Sequence, residues 1–80
     1  MRLNALTFGL MRDLCGGSTL QLVVPENTTV GGLLDHVAAR YPARGLRQTL
    51  RVAVNQEYAN EDLVLNEGDE IALIPPVSGG

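Results

Sequence analysis

One amphipathic segment, residues 28–42 (TTVGGLLDHVAARYP), constrains the fold more than any other part of the chain. Its apolar side chains follow the three- and four-residue spacing of one helix face, at Leu33, Leu34, Val37, Ala38 and Tyr41. Thr29 is predicted to cap the helix, because its hydroxyl can accept a hydrogen bond from a free N–H of the first turn. Pro42 is predicted to end it. The sequence therefore predicts one main helix.

Alternating apolar and polar residues predict β-strands on both sides of this helix. The predicted strands are residues 2–8, 19–24, 50–55, a short edge strand within 56–65, and 70–74, with at most a short helical turn at 9–15. In the last strand Ile71 and Leu73 face the core and Ile74 faces away, after a tight turn that places Gly68 at positive φ. This order indicates an α+β fold with a mixed sheet packed on one main helix. A β-grasp (ubiquitin-like) fold fits the order, as do other small α+β folds.

Length and charge argue against several classes of protein. A chain of 80 residues suits one domain with a small core and leaves little room for an enclosed catalytic pocket. The net charge of -3 argues against nucleic acid as a main partner. No apolar run reaches the roughly 18 residues of a membrane span. The single cysteine, and the charged residues that interrupt the N-terminal apolar segment, indicate a cytoplasmic protein.

The reactive side chains do not form a recognisable site of their own. His36 is the only histidine and Cys15 the only cysteine, so we expect no bound metal, no bound cofactor and no nucleophile–base pair. We interpret Cys15 as a small apolar side chain, with a persulfide carrier as the alternative. The paired glycines at the helix start lack the lysine of a phosphate loop and are predicted to allow close packing. The acidic run within residues 57–70 is interpreted as solvated, with docking of a basic partner as the alternative.

The C-terminal sequence LIPPVSGG is the feature that points to a function. Pro75 and Pro76 fix φ and offer no N–H, so the last strand cannot continue and the chain leaves the sheet. Residues 77–80 then reach roughly 13–14 Å when extended, and the two final glycines have no Cβ to block a narrow channel. We predict a domain over residues 1–76 and a flexible tail over 77–80 that carries a carboxylate into a partner's active site. The alternative is a frayed end with chance glycines.

Four segments together resemble one protein family along the whole chain. GDEIALIPPVSGG (residues 68–80) closely resembles the end of the small subunit of molybdopterin synthase, a ubiquitin-like sulfur carrier. LTFGLMRDLCG (residues 6–16), TVGGLLDHVAARYP (29–42) and VAVNQEYANEDLVLNEGDE (52–70) resemble its N-terminal segment, its helix and its third-strand segment. The tail motif is the most specific of the four, because it closes a chain of β-grasp pattern.

The resemblance implies a carrier whose catalysis is supplied by its partners. An adenylyltransferase related to ubiquitin-activating enzymes would use ATP and Mg²⁺ to adenylate the Gly80 carboxylate, and a sulfur donor would convert the adenylate to a thiocarboxylate. The large synthase subunit would then accept the tail. There the sulfur would attack a pyranopterin precursor and form part of the molybdopterin dithiolene. The family also implies a heterotetramer of two small and two large subunits.

The resemblance also implies which residues contact partners. Gly80 would carry the activated group. The apolar outer sheet face and the tail would dock on the large subunit, through Phe8, Tyr58, Ile74, Pro75, Pro76, Val77, Ser78 and Gly79. Tyr58 departs from a more aliphatic family position. Arg12 matches a family arginine that either binds a partner or caps locally.

Three other functions fit parts of the sequence. A sulfur carrier for the thiazole of thiamine also ends in Gly-Gly, but that family is usually shorter and lacks the Pro-Pro-Val run. A ubiquitin-like protein modifier would be attached to target lysines through Gly80. A plain β-grasp interaction domain would have an inert tail. Replacing Gly80 with a bulkier residue separates them, because only simple binding should survive.

Overall fold

A computed structural model describes residues 1–43 and 45–75 as a mixed sheet packed against one main helix. In chain order its elements are β1 (Arg2–Thr7), α1 (Gly9–Cys15), β2 (Thr19–Val23), α2 (Val30–Arg40), α3 (Leu46–Thr49), β3 (Arg51–Val54), β4 (Glu57–Tyr58) and β5 (Ile71–Ile74). The strand order is β2-β1-β5-β3-β4. The central pair β1 and β5 is parallel, and the other pairs are antiparallel. This arrangement matches the predicted α+β fold.

The core lies between α2 and the inner face of the sheet. Alternation along the strands points every second side chain at the helix, and the predicted inward residues of the last strand, Ile71 and Leu73, are buried. From α2, Leu33, Leu34 and Val37 are buried against them, as the helical stripe predicted, while Ala38 and Tyr41 are half-buried. The opposite face of the sheet is left without a covering element among the described residues.

The start of α2 is fixed by a side-chain cap and by a neighbouring loop. Thr29 accepts a hydrogen bond from the Gly32 N–H at 3.1 Å, which confirms the predicted cap. The Gly31 N–H donates to the Glu61 carbonyl at 2.9 Å. A Cβ on Gly31 would lie 3.3 Å from the Glu61 Cβ, so this glycine allows the close packing predicted for it.

Two elements differ from the sequence prediction. Residues 9–15 form a helix of seven residues rather than a short turn, because Met11 is completely buried and Gly16, at φ 81°, closes the helix in the left-handed region. Helix α3 was not predicted at all. It is only four residues long, and burial of Leu46 holds it against the core.

The remaining predictions hold at the level of elements. The other four strands are one or two residues shorter than predicted, β4 lies within residues 56–65 as predicted, and Gly68 has φ 91° as expected. No helix within the described ranges is long and apolar enough to cross a membrane. The predicted boundary between domain and tail, after residue 76, lies outside the described residues and stays a prediction.

Candidate functional site

The structure describes four of the predicted site residues, and the others lie outside the described part of the chain. Phe8, Tyr58, Ile74 and Pro75 are described. The predictions for Pro76, Val77, Ser78, Gly79 and Gly80 fall on residues about which the structure says nothing. The described part of the site is therefore the surface around the point where β5 ends.

The chain leaves β5 against the start of α1. Pro75 follows the strand directly, and its Cγ would lie 3.0 Å from a Cβ placed on Gly9. Gly9 has φ 52°, a left-handed conformation that disfavours other residues. The neighbouring Phe8 has extended backbone, and its carbonyl accepts hydrogen bonds from the Met11 and Arg12 N–H groups at 3.1 and 3.4 Å. Gly9 therefore lets the last described residue pack closely on the β1–α1 connection.

Phe8 and Ile74 lie together on the outer face of the sheet. Thr7 is the register partner of Leu73 in the parallel β1–β5 pair, so the residues that follow, Phe8 and Ile74, lie at the same end. Phe8 is 49% exposed and Ile74 is half-buried. The sequence prediction that both point away from Ile71 and Leu73 agrees with this placement.

Tyr58 extends the same face to the sheet edge. One row of register partners crosses four strands, from Leu6 through Ala72 and Ala53 to Tyr58. The two alanines are small, whereas Leu6 and Tyr58 are large and are 40% and 71% exposed. The outer face is thus a shallow apolar trough with raised sides, adjoining Phe8 and Ile74. We call the surface formed by Leu6, Phe8, Ala72, Ile74 and Tyr58 the outer patch.

Charge is distributed unevenly between the two ends of the sheet. Glu70 directly precedes β5, and Glu67 accepts a hydrogen bond from the Arg2 N–H at 2.9 Å, so acidic side chains gather where β5 begins. Arg51 lies at the other end, as the register partner of Ile74. On α1, Arg12 is exposed beside the exposed Asp13, so these two charges offset each other. The end of the molecule from which the chain leaves is therefore the more basic one.

Comparison with known proteins identifies the family of the chain. The model of the ThiS family matches residues 6–80 of the chain. The chain belongs to the ThiS family.

Individual relatives of this ThiS-family chain point to sulfur carriers and to modifiers. The molybdopterin synthase sulfur carrier subunit of Mycobacterium tuberculosis is 40% identical over 82 aligned positions, covering 100% of this chain and 99% of that protein. The crystal structure of SAMP1 from Haloferax volcanii is 30% identical, with a TM-score of 0.80 and full coverage of both chains. A chain in the complex of subunits 1 and 2 of molybdopterin-converting factor from Helicobacter pylori is 23% identical, with a TM-score of 0.61 and full coverage of both chains, and shows the shared fold. The β-grasp prediction is confirmed.

The remaining reactive residues of the ThiS-family chain lie away from the end of β5 or are engaged locally. The Cys15 thiol is half-buried and donates to the Gly17 carbonyl at 3.1 Å. His36 is exposed on α2, on the far side of the sheet from the outer patch. Within residues 1–43 and 45–75, no group of three or more His, Cys, Asp or Glu side chains is placed to hold a metal ion. The described residues of the site therefore form a binding surface.

Sequence reasoning missed three residues around the outer patch. Strand alternation places the Leu6 side chain on the same face as Phe8 and the Arg51 side chain on the same face as Ile74. Neither residue was proposed as a contact. Gly9 carries a weaker signal, since a glycine after a strand is common. Its packing on Pro75 depends on the parallel pairing of β1 with β5.

Proposed function

We propose that this chain is the sulfur-carrier subunit of a molybdopterin synthase and acts in the cytoplasm. The observation that carries the proposal is the 40% identity, over the whole chain, to a Mycobacterium tuberculosis protein of that name. The match covers nearly the full length of both proteins, so it includes the C-terminal PPVSGG segment as well as the sheet.

The proposed chemistry takes place at the Gly80 carboxylate. A free carboxylate is a poor acyl donor, so an adenylyltransferase related to ubiquitin-activating enzymes first transfers AMP from ATP to it, with Mg²⁺ and loss of pyrophosphate. A sulfur donor then displaces AMP and leaves a thiocarboxylate. Its sulfur attacks a carbon of a pyranopterin precursor and displaces an oxygen leaving group, which forms a thioester. Hydrolysis of the acyl–sulfur bond then leaves the sulfur on the precursor, as part of the dithiolene, and returns the carboxylate. This chain supplies the carried group in each step.

The outer patch supports docking on a large subunit. It is apolar, largely exposed and directly beside the start of the tail. A partner that binds this surface can hold the domain in place while it receives the tail. Pro75 packs against Gly9, so the last described residue before the tail is held beside this patch. A chain of the same fold has been solved in complex with subunit 2 of molybdopterin-converting factor, and we propose an equivalent partner here.

Intact mass spectrometry tests the proposal directly. The chain is incubated with ATP, Mg²⁺, a sulfide source and a purified adenylyltransferase, and replacement of one terminal oxygen by sulfur is the expected result. Adding the large subunit and the pyranopterin precursor should return the original mass. A Gly80→Val variant serves as the control and should remain unchanged. Failure of the wild-type chain to gain sulfur with any adenylyltransferase of its source would contradict the carrier function.

A second candidate function, covalent modification of proteins, is favoured by the likeness to SAMP1, a small archaeal modifier protein. The same Gly80 adenylate would then be attacked by a lysine amine of a target protein. Incubating the activated chain with an extract of its source distinguishes the two functions. Conjugates that resist denaturation and reduction would support the modifier, whereas a thiocarboxylate that is discharged only by the large subunit would support the carrier.

A further inference from the structure

Arg51 is a charged residue beside the outer patch. Its Cα is the register partner of Ile74, and strand alternation places its side chain on the same face. Arg51 is exposed, and the two ion pairs found among the described residues both belong to Arg47. The acidic residues of the neighbouring strands, Glu57 and Glu70, are three and four residues away along the strands, roughly 10 Å or more. Glu61 lines the same cavity as Arg51 but is paired with Arg47, so Arg51 forms no ion pair with a carboxylate in the described part of the chain.

A protein that covers the outer patch also covers Arg51. Ile74 and Arg51 lie on adjacent strands, about 4.8 Å apart in the hydrogen-bonding direction, and Ile74 is part of the patch. Taking a guanidinium out of water is costly unless hydrogen-bond acceptors replace the lost hydration, and a carboxylate also balances the charge. The planar guanidinium can bind a carboxylate through two parallel hydrogen bonds, which also fixes orientation.

The charge around Arg51 makes an acidic partner residue the favourable one. Glu67, Asp69 and Glu70 gather at the opposite end of the sheet, where they repel a partner carboxylate. An acidic partner surface is thus repelled from the start of β5 and attracted to the end where the tail begins.

We infer that the protein which receives the tail carries an aspartate or glutamate that pairs with Arg51, and that this pair orients the domain as the tail enters. The inference rests on the proposed function and identifies that protein as the large synthase subunit. The outer patch supplies apolar contact area, and the Arg51 pair supplies the orientation of one protein on the other.

Binding to the purified large subunit tests the inference. The dissociation constant is measured at low and high salt for the wild-type chain and for Arg51→Glu, Arg51→Leu and Arg40→Glu. Arg40 is the matched control, because it lies on α2, on the opposite side of the sheet, and the change in charge is the same. Arg51→Glu should weaken binding by about 30-fold or more, and Arg40→Glu should change it by less than about twofold. The salt dependence should be smaller for Arg51→Leu than for the wild-type chain.

The partner residue is then found by reversing charge. Each acidic residue on the tail-binding face of the large subunit is changed to arginine, and one of these variants should restore binding of Arg51→Glu. Equal affinities for Arg51→Glu and Arg40→Glu would overturn the role of Arg51 and leave the proposed function intact. Absence of binding by the wild-type chain would instead overturn the large subunit as the partner, and the Arg51 pair with it.

Discussion

Gln56 occupies a backbone conformation that is costly for a residue with a Cβ. Asn55 and Gln56 form the two-residue loop between β3 and β4, with φ values of 53° and 72°. Such loops favour Asn followed by Gly. Asn55 fits, and its side chain also accepts a hydrogen bond from the Glu70 N–H at 3.0 Å. Gln56 therefore stores local strain in a turn that is otherwise well formed.

Replacing Gln56 with glycine should stabilise the fold. Glycine adopts positive φ without steric cost, and we expect a net gain of about 0.5–1 kcal/mol in the free energy of unfolding. Urea denaturation of the wild type and of Gln56→Gly measures it. Gln48→Gly is the matched control, because Gln48 is exposed in helix α3, where the same change should destabilise by about 0.5–1 kcal/mol. A loss of stability in both variants would contradict the strain at Gln56.

Gly9 combines positive φ with close packing on the start of the tail, and three glycines of the same region separate these effects. An added Cβ would be 3.0 Å from Pro75 Cγ at Gly9, whereas nothing lies within 4 Å at Gly16 or Gly17. Gly16 has φ 81° and Gly17 is not in the positive-φ region. Gly9→Ala thus carries strain together with a steric clash, Gly16→Ala carries strain alone, and Gly17→Ala carries neither.

We expect Gly17→Ala to be nearly neutral and Gly16→Ala to lose about 1 kcal/mol. Gly9→Ala should lose at least as much, and it alone should slow thiocarboxylate formation, because moving Pro75 redirects the tail. Denaturation midpoints and the rate of sulfur incorporation by intact mass measure the two effects. If Gly16→Ala slows sulfur incorporation as much as Gly9→Ala does, lower stability rather than tail direction explains the result.

At the scale of elements, one arginine ties α3 to α2 and to the loop that follows β4. Arg47 lies in α3 and forms ion pairs of 2.7 Å with Asp35 of α2 and with Glu61. The hydrogen bond from Arg47 holds the pKa of Glu61 below its usual value of 4.5, and the two carboxylates raise the pKa of Arg47, with Glu61 contributing most. These interactions explain how an element as short as α3 keeps its position.

The Glu61 carboxylate should therefore make stability depend on pH. Its pKa is lower in the folded state than in the unfolded state, so its contribution is present above pH 4.5 and is lost as the pH falls through the folded-state pKa. Urea midpoints from pH 7 to pH 3 should show Glu61→Gln less stable than the wild type at pH 7, with the difference shrinking below pH 4.5. Asp62→Asn is the control, because Asp62 forms no ion pair with another described residue. A constant difference across this range would contradict the ion pair.

The elements that could be predicted from the sequence are those with a repeating apolar pattern. Helix α2 is predictable because its stripe spans three turns and begins at a capping threonine, and β5 because Ile71 and Leu73 alternate with Ile74. Helix α3 has one buried residue, Leu46, and a single position has no periodicity. Besides the burial of Leu46, its position depends on Arg47 reaching Asp35 and Glu61, which are 12 and 14 residues away in sequence.

The candidate site also has residues whose position the sequence predicts and contacts that it does not predict. Strand parity predicts that Phe8 and Ile74 lie on the outer face, and the structure agrees. The role of Gly80 came from a resemblance between whole segments, because a carboxylate at the end of a chain has no local pattern. The packing of Pro75 on Gly9 could not be predicted, since it depends on which strands pair and in which direction.

At the scale of the whole molecule, one end of the sheet is apolar and basic and the other end is acidic. The parallel pairing of β1 with β5 brings the end of β1, the start of α1 and the end of β5 together, and Phe8, Ile74 and Arg51 lie at this end. The turn before β5 gathers Glu67, Asp69 and Glu70 at the other. A partner therefore meets two different surfaces on one sheet face, and only one of them adjoins the tail.

This polarity predicts that position along the sheet, rather than exposure, decides which apolar residues bind the large subunit. Val23 and Phe8 are both exposed, at 68% and 49%, and both lie on the outer face. Val23 pairs with Arg2, at the acidic end. Phe8→Ser should weaken binding to the large subunit by about tenfold or more, whereas Val23→Ser should leave it nearly unchanged. Calorimetric titration of each variant against the large subunit measures the difference.

Both substitutions should leave the fold nearly as stable as before, so a difference in binding reports on the interface. Serine at position 8 occupies the N-cap of α1, where its hydroxyl can accept a hydrogen bond from a backbone N–H that no side chain caps in the wild-type protein. This hydrogen bond offsets part of the apolar packing that the Phe8 ring provides. Similar reductions in affinity for Phe8→Ser and Val23→Ser, at similar stability, would mean that the partner covers the whole sheet face. The outer patch would then not be the site that positions the tail.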